Sequence, residues 1–263
     1  MRLVVCLKQV PDTSAQLRVA PGGLAPLAAA SLPVPNPYDE FALEAALRLR
    51  ESGGAAAKAE IVLLTAAAEP VDETVFHGLA MGADRAVVLE LPPGSRPDPL
   101  AAARLLAREA EGLAPALVLC GERAADDDAA QVGPALAEAL GLPQVCGVES
   151  FELDAKGRTL RARCRRGTRT ESRACTLPCM LTFVRGPALP RYPALDAILS
   201  AGEKPVLRKP AKPGKNRVER VALDPVPDER SGEVLRVARG RMTPEEAARS
   251  LLDRIDARVS LLA

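Results

Sequence analysis

Over its first two thirds the chain alternates apolar runs of strand length with segments whose apolar residues recur at helical spacing, an order that few folds accept. The runs are LVVCLKQV at 3–10, EIVLLTA at 60–66, RAVVLEL at 85–91, PALVLCG at 115–121 and PQVCGV at 143–148. Strands separated by helices pair in parallel. The expected class is therefore α/β, a mostly parallel sheet with helices on both faces. Right-handed crossovers then collect the loops that follow the strands along one edge of that sheet.

Helix punctuation agrees with this division. A stripe of Phe41, Leu43, Ala46, Leu47 and Leu49 ends at Gly53 and Gly54, and the next helical segment opens with Pro70 and closes at Gly82. Asp98 caps a third segment with Pro99 behind it, and a fourth runs from about Ala129 to Leu140 and ends at Gly141. From 151 to 184 apolar and polar residues alternate around a DAKGR turn, as in antiparallel strands at the far edge of the sheet. Residues 203–230 are rich in Pro, Lys and Arg, a composition that argues against a regular element and for an extended arm. Beyond it Thr243, Pro244 and Glu246 mark the start of a capped amphipathic helix. The expected organisation is an α/β domain over 1–200, followed over 201–263 by an arm and a C-terminal helix that pack on a partner chain.

Several function classes lack material. A net charge of +1 and 2% aromatic side chains supply neither a field nor stacking platforms for nucleic acid. The six cysteines form no C-x-x-C pair and His77 is the only histidine, so a zinc site or a Ser-His-Asp triad has almost nothing to work with. No apolar stretch approaches the length of a membrane span, and no small-residue cleavage site follows the N-terminal run. The expected location is the cytoplasm.

Three stretches carry chemistry. In DDDAAQVG (126–133) the small residues at Ala129, Ala130 and Val132 would let a phosphate approach the free amides of a helix start. The three acids then need other work: one can cap the helix, another can accept from ribose hydroxyls, and Arg123 can offset the charge. The alternative is that the triplet only caps the helix and faces solvent. In NPYDE (36–40) Asn36 is held extended by the following Pro, so its amide reads either an adenine edge or a backbone group, or the segment is a simple turn with two acids in the first helical turn. In ALPRYPALDAILSAGEK (188–204) two prolines stiffen a loop that presents Arg191, Tyr192 and Leu195 for docking, unless Tyr192 and Leu195 tuck back into the core. His77 reads as a packed or surface imidazole, and RARCRRGTR (161–169) as a solvated strand face.

Taken together, VCLKQVPDT, NPYDEFALEAALRL, GLAMGADRAVVL, CGERAADDDAAQVGPALAEALGLPQV and PRYPALDAILSA resemble, in order and across essentially the whole chain, the beta subunit of electron transfer flavoprotein. The resemblance implies an adenine-nucleotide-binding α/β fold, paired as a heterodimer with an alpha subunit that carries redox-active FAD. It implies an electron carrier with no catalytic residue of its own, fed by dehydrogenases and discharging to a quinone-reducing acceptor. It also implies a second nucleotide in this subunit, held at Cys6, Asn36, Ala66, Asp127, Ala130, Gln131 and Val132, with Thr13 where the family approaches the alpha-subunit flavin. Arg191, Tyr192 and Leu195 fall on the family's dehydrogenase-recognition loop. KQVPDT and AQVGP resemble the branch linked to nitrogen fixation and electron bifurcation, whose beta subunit binds a second FAD in place of AMP. TAAAEPVDE lacks the Met-Gly-Pro-like turn of bifurcating members, and Ala130 and Val132 stand where the common branch tends to have Asn and Thr. The second nucleotide is thus expected to be AMP or FAD. A stand-alone adenine-nucleotide-binding regulator of the stress-protein type is the competing expectation, since it shares the core but needs neither arm nor docking loop.

Overall fold

The computed structural model describes residues 1–12, 33–186, 188–219, 221 and 242–259. Thr13 and most of the segment 220–241 lie outside the described residues. Met1–Leu223 form one compact unit and Asp224–Ala263 a second.

In the first unit β1 (Arg2–Cys6) is followed by a short strand β2 (Gln9–Pro11), which pairs antiparallel with β3 (Pro33–Pro35). Then come α1 (Pro37–Glu51), β4 (Glu60–Ala67), α2 (Asp72–Met81), β5 (Arg85–Glu90), α3 (Pro99–Leu113), β6 (Leu117–Gly121) and α4 (Val132–Ala139). The antiparallel strands β7 (Gln144–Leu153), β8 (Thr159–Arg166) and β9 (Arg169–Thr176) precede β10 (Cys179–Phe183), α5 (Leu195–Ala201) and β11 (Val206–Pro210). The main sheet has nine strands in the order β11-β5-β4-β1-β6-β10-β7-β8-β9. From β11 to β7 every neighbouring pair is parallel; β8 pairs antiparallel with both β7 and β9, so β8 alone runs against the rest of the sheet. The α/β class expected from the alternation is the class observed.

Successive residues of a strand point to opposite faces, and each face has its own core. Leu3, Val5 and Leu7 pack with Leu43 and Leu47 of α1 and Val75 and Leu79 of α2. Val4 and Cys6 pack on the other face with Leu105 and Ala110 of α3 and Leu136 of α4. Asp98 caps α3 as its position predicts, accepting from the Ala101 amide at 2.7 Å.

The structure corrects four sequence expectations. The first apolar run does not continue to Val10: it breaks after Cys6, and Gln9–Pro11 turn out of the main sheet to pair with Pro33–Pro35. The fourth helix opens at Val132, not near Ala129, because Ala130 sits at φ +53° and cannot belong to a right-handed helix. CMLTF is not an antiparallel edge strand; it inserts in parallel between β6 and β7 and is buried throughout. The reason is written in the segment, which is apolar without alternation, as a strand covered on both faces must be. Residues 206–210 of the expected arm form β11, which pairs with β5 along the sheet edge. Lys204 anchors the approach, its Nζ donating to the Leu79 and Ala83 carbonyls at 2.8 Å each.

In the second unit α6 (Pro244–Val259) opens with the predicted reciprocal cap: the Glu246 amide donates to Thr243 Oγ1 at 3.2 Å and the Thr243 amide to Glu246 Oε2 at 2.8 Å. Its Leu251, Leu252 and Ile255 are exposed. Among the described residues no helix is long and apolar enough to cross a membrane.

Candidate functional site

Strand order reverses at β1. The chain moves from β1 to β4 and β5 on one side, then crosses to β6 on the other. In an open parallel sheet the loops leaving the carboxyl ends at such a point diverge and open a crevice. Here the crevice lies beyond Cys6 and Gly121, with Ala66 at the end of the neighbouring strand β4.

The start of α1 holds the two crevice loops together. Asp39 is buried, and its two carboxylate oxygens accept from different loops: Oδ1 from the Gly121 amide at 2.7 Å and Oδ2 from the Lys8 amide at 2.8 Å. Burial raises its pKa to about 6, even though both amides and the Lys8 charge pull the other way. Asn36 completes the join. Its amide nitrogen donates to the Arg123 carbonyl at 2.9 Å, its side-chain oxygen accepts from the Ala125 amide at 3.2 Å, and its own backbone amide donates to the Lys8 carbonyl at 2.8 Å. Of the readings open for Asn36, the structure selects the backbone group. Such packing needs Gly121, because a Cβ there would stand 2.5 Å from Tyr38 Cβ and 2.9 Å from the Tyr38 carbonyl carbon.

The acidic triplet is folded away from the helix start. Lys8 Nζ lies 2.7 Å from Asp126 Oδ1 and 3.0 Å from Asp127 Oδ2, while Asp127 Oδ1 accepts from the Ala129 amide at 3.1 Å. Burial would lower the Lys8 pKa, but the charges and hydrogen bonds of Asp126 and Asp127 outweigh it and hold it above the usual value. Arg123 pairs with Asp128 at 3.1 Å and with Glu122 at 3.3 Å. Thus two cations hold the carboxylates beside the crevice aside and offset part of their charge.

With the acids turned aside, the backbone itself is what remains. Asp128 and Ala130 both have positive φ, at 49° and 53°, a rare conformation for residues other than glycine. Gln131 occupies the cap position of α4 without a side-chain cap bond, so the first amides of the helix have neither an intrahelical acceptor nor a capping side chain. Gly133 lets this end of α4 approach the sheet, since a Cβ there would stand 2.5 Å from Thr182 Cγ2. The arrangement suits an anion on the amides near Ala130, Gln131 and Val132.

Cys6 and Cys120 border the crevice but offer no reactive thiol. Burial pushes Cys6 up to about 12, with the Asp39 charge adding to it, and burial likewise raises Cys120 well above the ordinary thiol range. In the native protein, brief alkylation is expected to label the half-exposed Cys146 and Cys175 well before Cys6 and Cys120, as read by peptide mass mapping. Early labelling of Cys6 would contradict the closed end of β1.

The docking-loop residues form a separate site. Tyr192 is 96% exposed and Leu195 is 72% exposed, so neither tucks into the core. Arg191 does not project with them: its Nε lies 2.7 Å from Glu44 Oε2 and one Nη 2.9 Å from Glu51 Oε2, clamping the loop to α1. Beside the loop Phe76, Leu79, Tyr192, Ile198 and Val206 line a groove of about 740 Å³ that shares no residue with the crevice.

The structure therefore gathers Cys6, Asn36, Asp127, Ala130, Gln131 and Val132 around the ends of β1 and β6, with Ala66 one strand away. Sequence reasoning missed Lys8 and Gly121 and gave Asp39 only a helix-end role. An isolated glycine closing an apolar strand does signal close backbone approach. No local signal ties Lys8 to acids 118 residues away. His77 behaves as the sequence suggests, bonding Glu40 Oε1 at 2.8 Å. Arg161, Arg163 and Arg165 lie along the exposed face of β8, where Glu149 pairs with Arg163 and Arg165. Among the described residues no group of three or more His, Cys, Asp or Glu converges to hold a metal ion.

Comparison with known proteins points in one direction. Residues 29–224 match the model of the electron transfer flavoprotein domain. The chain is 33% identical over 219 residues to an electron transfer flavoprotein subunit beta of Syntrophomonas wolfei, covering 83% of each chain. It is 35% identical over 218 residues to the protein FixA of Azorhizobium caulinodans, covering 81% of this chain and 76% of that one. It is 38% identical over 211 residues to a mitochondrial electron transfer flavoprotein subunit beta of Oryza sativa subsp. japonica, covering 80% and 81%.

Proposed function

The chain belongs to the electron transfer flavoprotein family, and from that premise we propose that it is the beta subunit of a heterodimeric electron carrier. In this reading an alpha subunit holds most of the FAD that accepts electrons from dehydrogenases in the cytoplasm and passes them to a quinone-reducing acceptor. FAD supplies the redox chemistry, and this chain supplies binding, orientation and a partner-docking surface. Its own crevice holds a second nucleotide, AMP or FAD. The part common to both, an adenosine with its 5′ phosphate, is what the crevice reads.

One observation carries the reading: the start of α4 offers uncapped amides while Lys8 and Arg123 draw all three neighbouring carboxylates aside. A bare acidic triplet would repel phosphate, whereas one whose carboxylates are paired and turned aside leaves the backbone dipole to attract it. The adenylate phosphate sits on the amides of Ala130, Gln131 and Val132, and Cys6, Asn36 and Ala66 shape the rest of the crevice. The exposed tip of Tyr192 and Leu195 meets the dehydrogenase.

The test is to express the chain with its neighbouring alpha subunit, release the ligands from the intact complex and determine flavin and AMP per dimer by chromatography. A yellow heterodimer with one flavin and one AMP is expected of a simple carrier, and one with two flavins of the bifurcating composition. A colourless monomer that ignores the alpha subunit would sink the proposal in favour of a stand-alone regulator.

A further inference from the structure

The adenylate site proposed above is built from two loops that belong to different strands, and a single buried side chain joins them. Lys8 leaves the end of β1 and Gly121 closes β6, and beyond these positions the β1–β6 ladder no longer holds the strands together. The Asp39 carboxylate takes over, one oxygen on each loop, at 2.8 and 2.7 Å. Everything that prepares the phosphate site hangs from those loops. Lys8 carries Asp126 and Asp127 on its Nζ, and Gly121 leads into the segment that Asn36 grips at Arg123 and Ala125.

We propose, on the basis of that nucleotide-site reading, that ionised Asp39 is the positioning residue that holds the two crevice loops in register for adenylate, and that its protonation weakens nucleotide binding. The chemistry is direct. A carboxylate offers acceptor oxygens to both amides at once, whereas a carboxylic acid turns one oxygen into a hydroxyl donor. The N–H on that side is then left with a much weaker acceptor in a buried place, and the loop that carries it is held less firmly. An asparagine has the same defect permanently, because one of its two ends is an amide donor.

The surroundings place the transition in an accessible range. Burial raises the Asp39 pKa to about 6. The groups that face it are Lys8 and Cys6 from the β1 side, Cys120 from β6 and, from the turn before α1, the Asn36 side chain, whose hydrogen bond favours the ionised form. Beyond Lys8 stand Asp126 and Asp127, and on the loop after β6 Arg123 is occupied with Asp128 and Glu122. His77 of α2 bonds Glu40, the next residue of α1, and not Asp39. Asp39 thus stands as the carboxylate that bridges the two loops.

The experiment uses the complex of the full chain with its alpha subunit, stripped of nucleotide, and AMP as the probe. The dissociation constant is measured from about pH 5 to about pH 8 for wild type and Asp39→Asn. Their ratio is the readout, because the titration of AMP itself cancels in it. The expected ratio is about tenfold or more near pH 8, falling towards one below pH 6 as the wild-type carboxyl becomes a neutral acid like the variant's amide. A ratio that stays constant with pH, or that equals one throughout, overturns the role of Asp39 and leaves the nucleotide site standing. Absence of AMP binding by wild type at every pH overturns the nucleotide reading and the inference with it. Should the variant fail to fold, wild type alone decides the matter. Hydrogen-exchange protection of the Lys8 and Gly121 amides, corrected for intrinsic rates, is expected to drop about tenfold between pH 7 and pH 5, and unchanged protection refutes the proposal.

Discussion

Replacing Gly121 by alanine is expected to destabilise the protein by about 3 kcal/mol, the upper range for inserting an atom into a packed place. The added Cβ would lie 2.5 Å from Tyr38 Cβ, 2.7 Å from Asp39 Oδ1 and 2.9 Å from the Tyr38 carbonyl carbon. All three contacts belong to the first turn of α1, and two are to Tyr38 Cβ and backbone, where no flexible side-chain end can give way, so the helix start itself must move. For a compact unit of this size the loss corresponds to a fall in melting temperature of roughly 6–12 °C. Gly112 supplies the internal comparison, since it lies near the end of α3 with nothing within 4 Å of a Cβ. Alanine there is expected to be stabilising by about 0.5–1 kcal/mol through helix propensity. If both variants melt alike, the close approach of α1 to β6 is wrong.

Arg191→Ala is the second large effect, expected to cost about 2 kcal/mol at neutral pH, between the values for an exposed and a buried ion pair, because Glu44 is buried but Arg191 is partly exposed. The Glu44 side chain is only 2% exposed and loses its Nε and Nη donors, while Arg48 remains beside it. The pH dependence carries a sign that can be checked. Burial alone would raise the Glu44 pKa, but hydrogen bonds from Arg191 and Arg48 outweigh it and hold the carboxyl below its ordinary value of 4.5. A depressed carboxyl contributes stability that is complete above the unfolded value and disappears as pH falls through the folded one. Without Arg191, burial acts on Glu44 with less opposition, so the gap between wild type and variant should be widest near neutrality and close towards pH 3–4. Denaturant unfolding at a series of pH values measures it, and a gap that widens in acid would refute the clamp. Lysine should restore little, because it cannot reproduce the fork that spans Glu44 and Glu51. The variant also frees the loop that carries Tyr192 and Leu195, so if the proposed docking role holds, weaker dehydrogenase binding should accompany the loss.

Much of the crevice was visible in local patterns. DDDAAQVG combined small residues with a helix start, and NPYDE declared a fixed turn before a helix. Which of their polar groups face a ligand was not visible. Asn36 spends its side chain on backbone partners 87 and 89 residues away, and Asp39 divides its carboxylate between Gly121, 82 residues away, and Lys8, 31 residues away. The acids of the triplet find Lys8 and Arg123, only the second of which is near them in the chain.

From its residues alone this protein was bound to be α/β. Apolar runs and helical stripes record what each segment must bury, and Gly, Pro and Asp mark where each element begins or ends. Those are local properties of ten or fifteen residues. Tertiary structure decided the rest: that CMLTF returns to lie between β6 and β7, that Val206–Pro210 extends the sheet beyond β5, and that Asp39 bridges β1 to β6. Each depends on which distant segment arrives alongside. Strand pairing and a buried carboxylate's choice of donors are set by that meeting, and it leaves no periodicity in either partner.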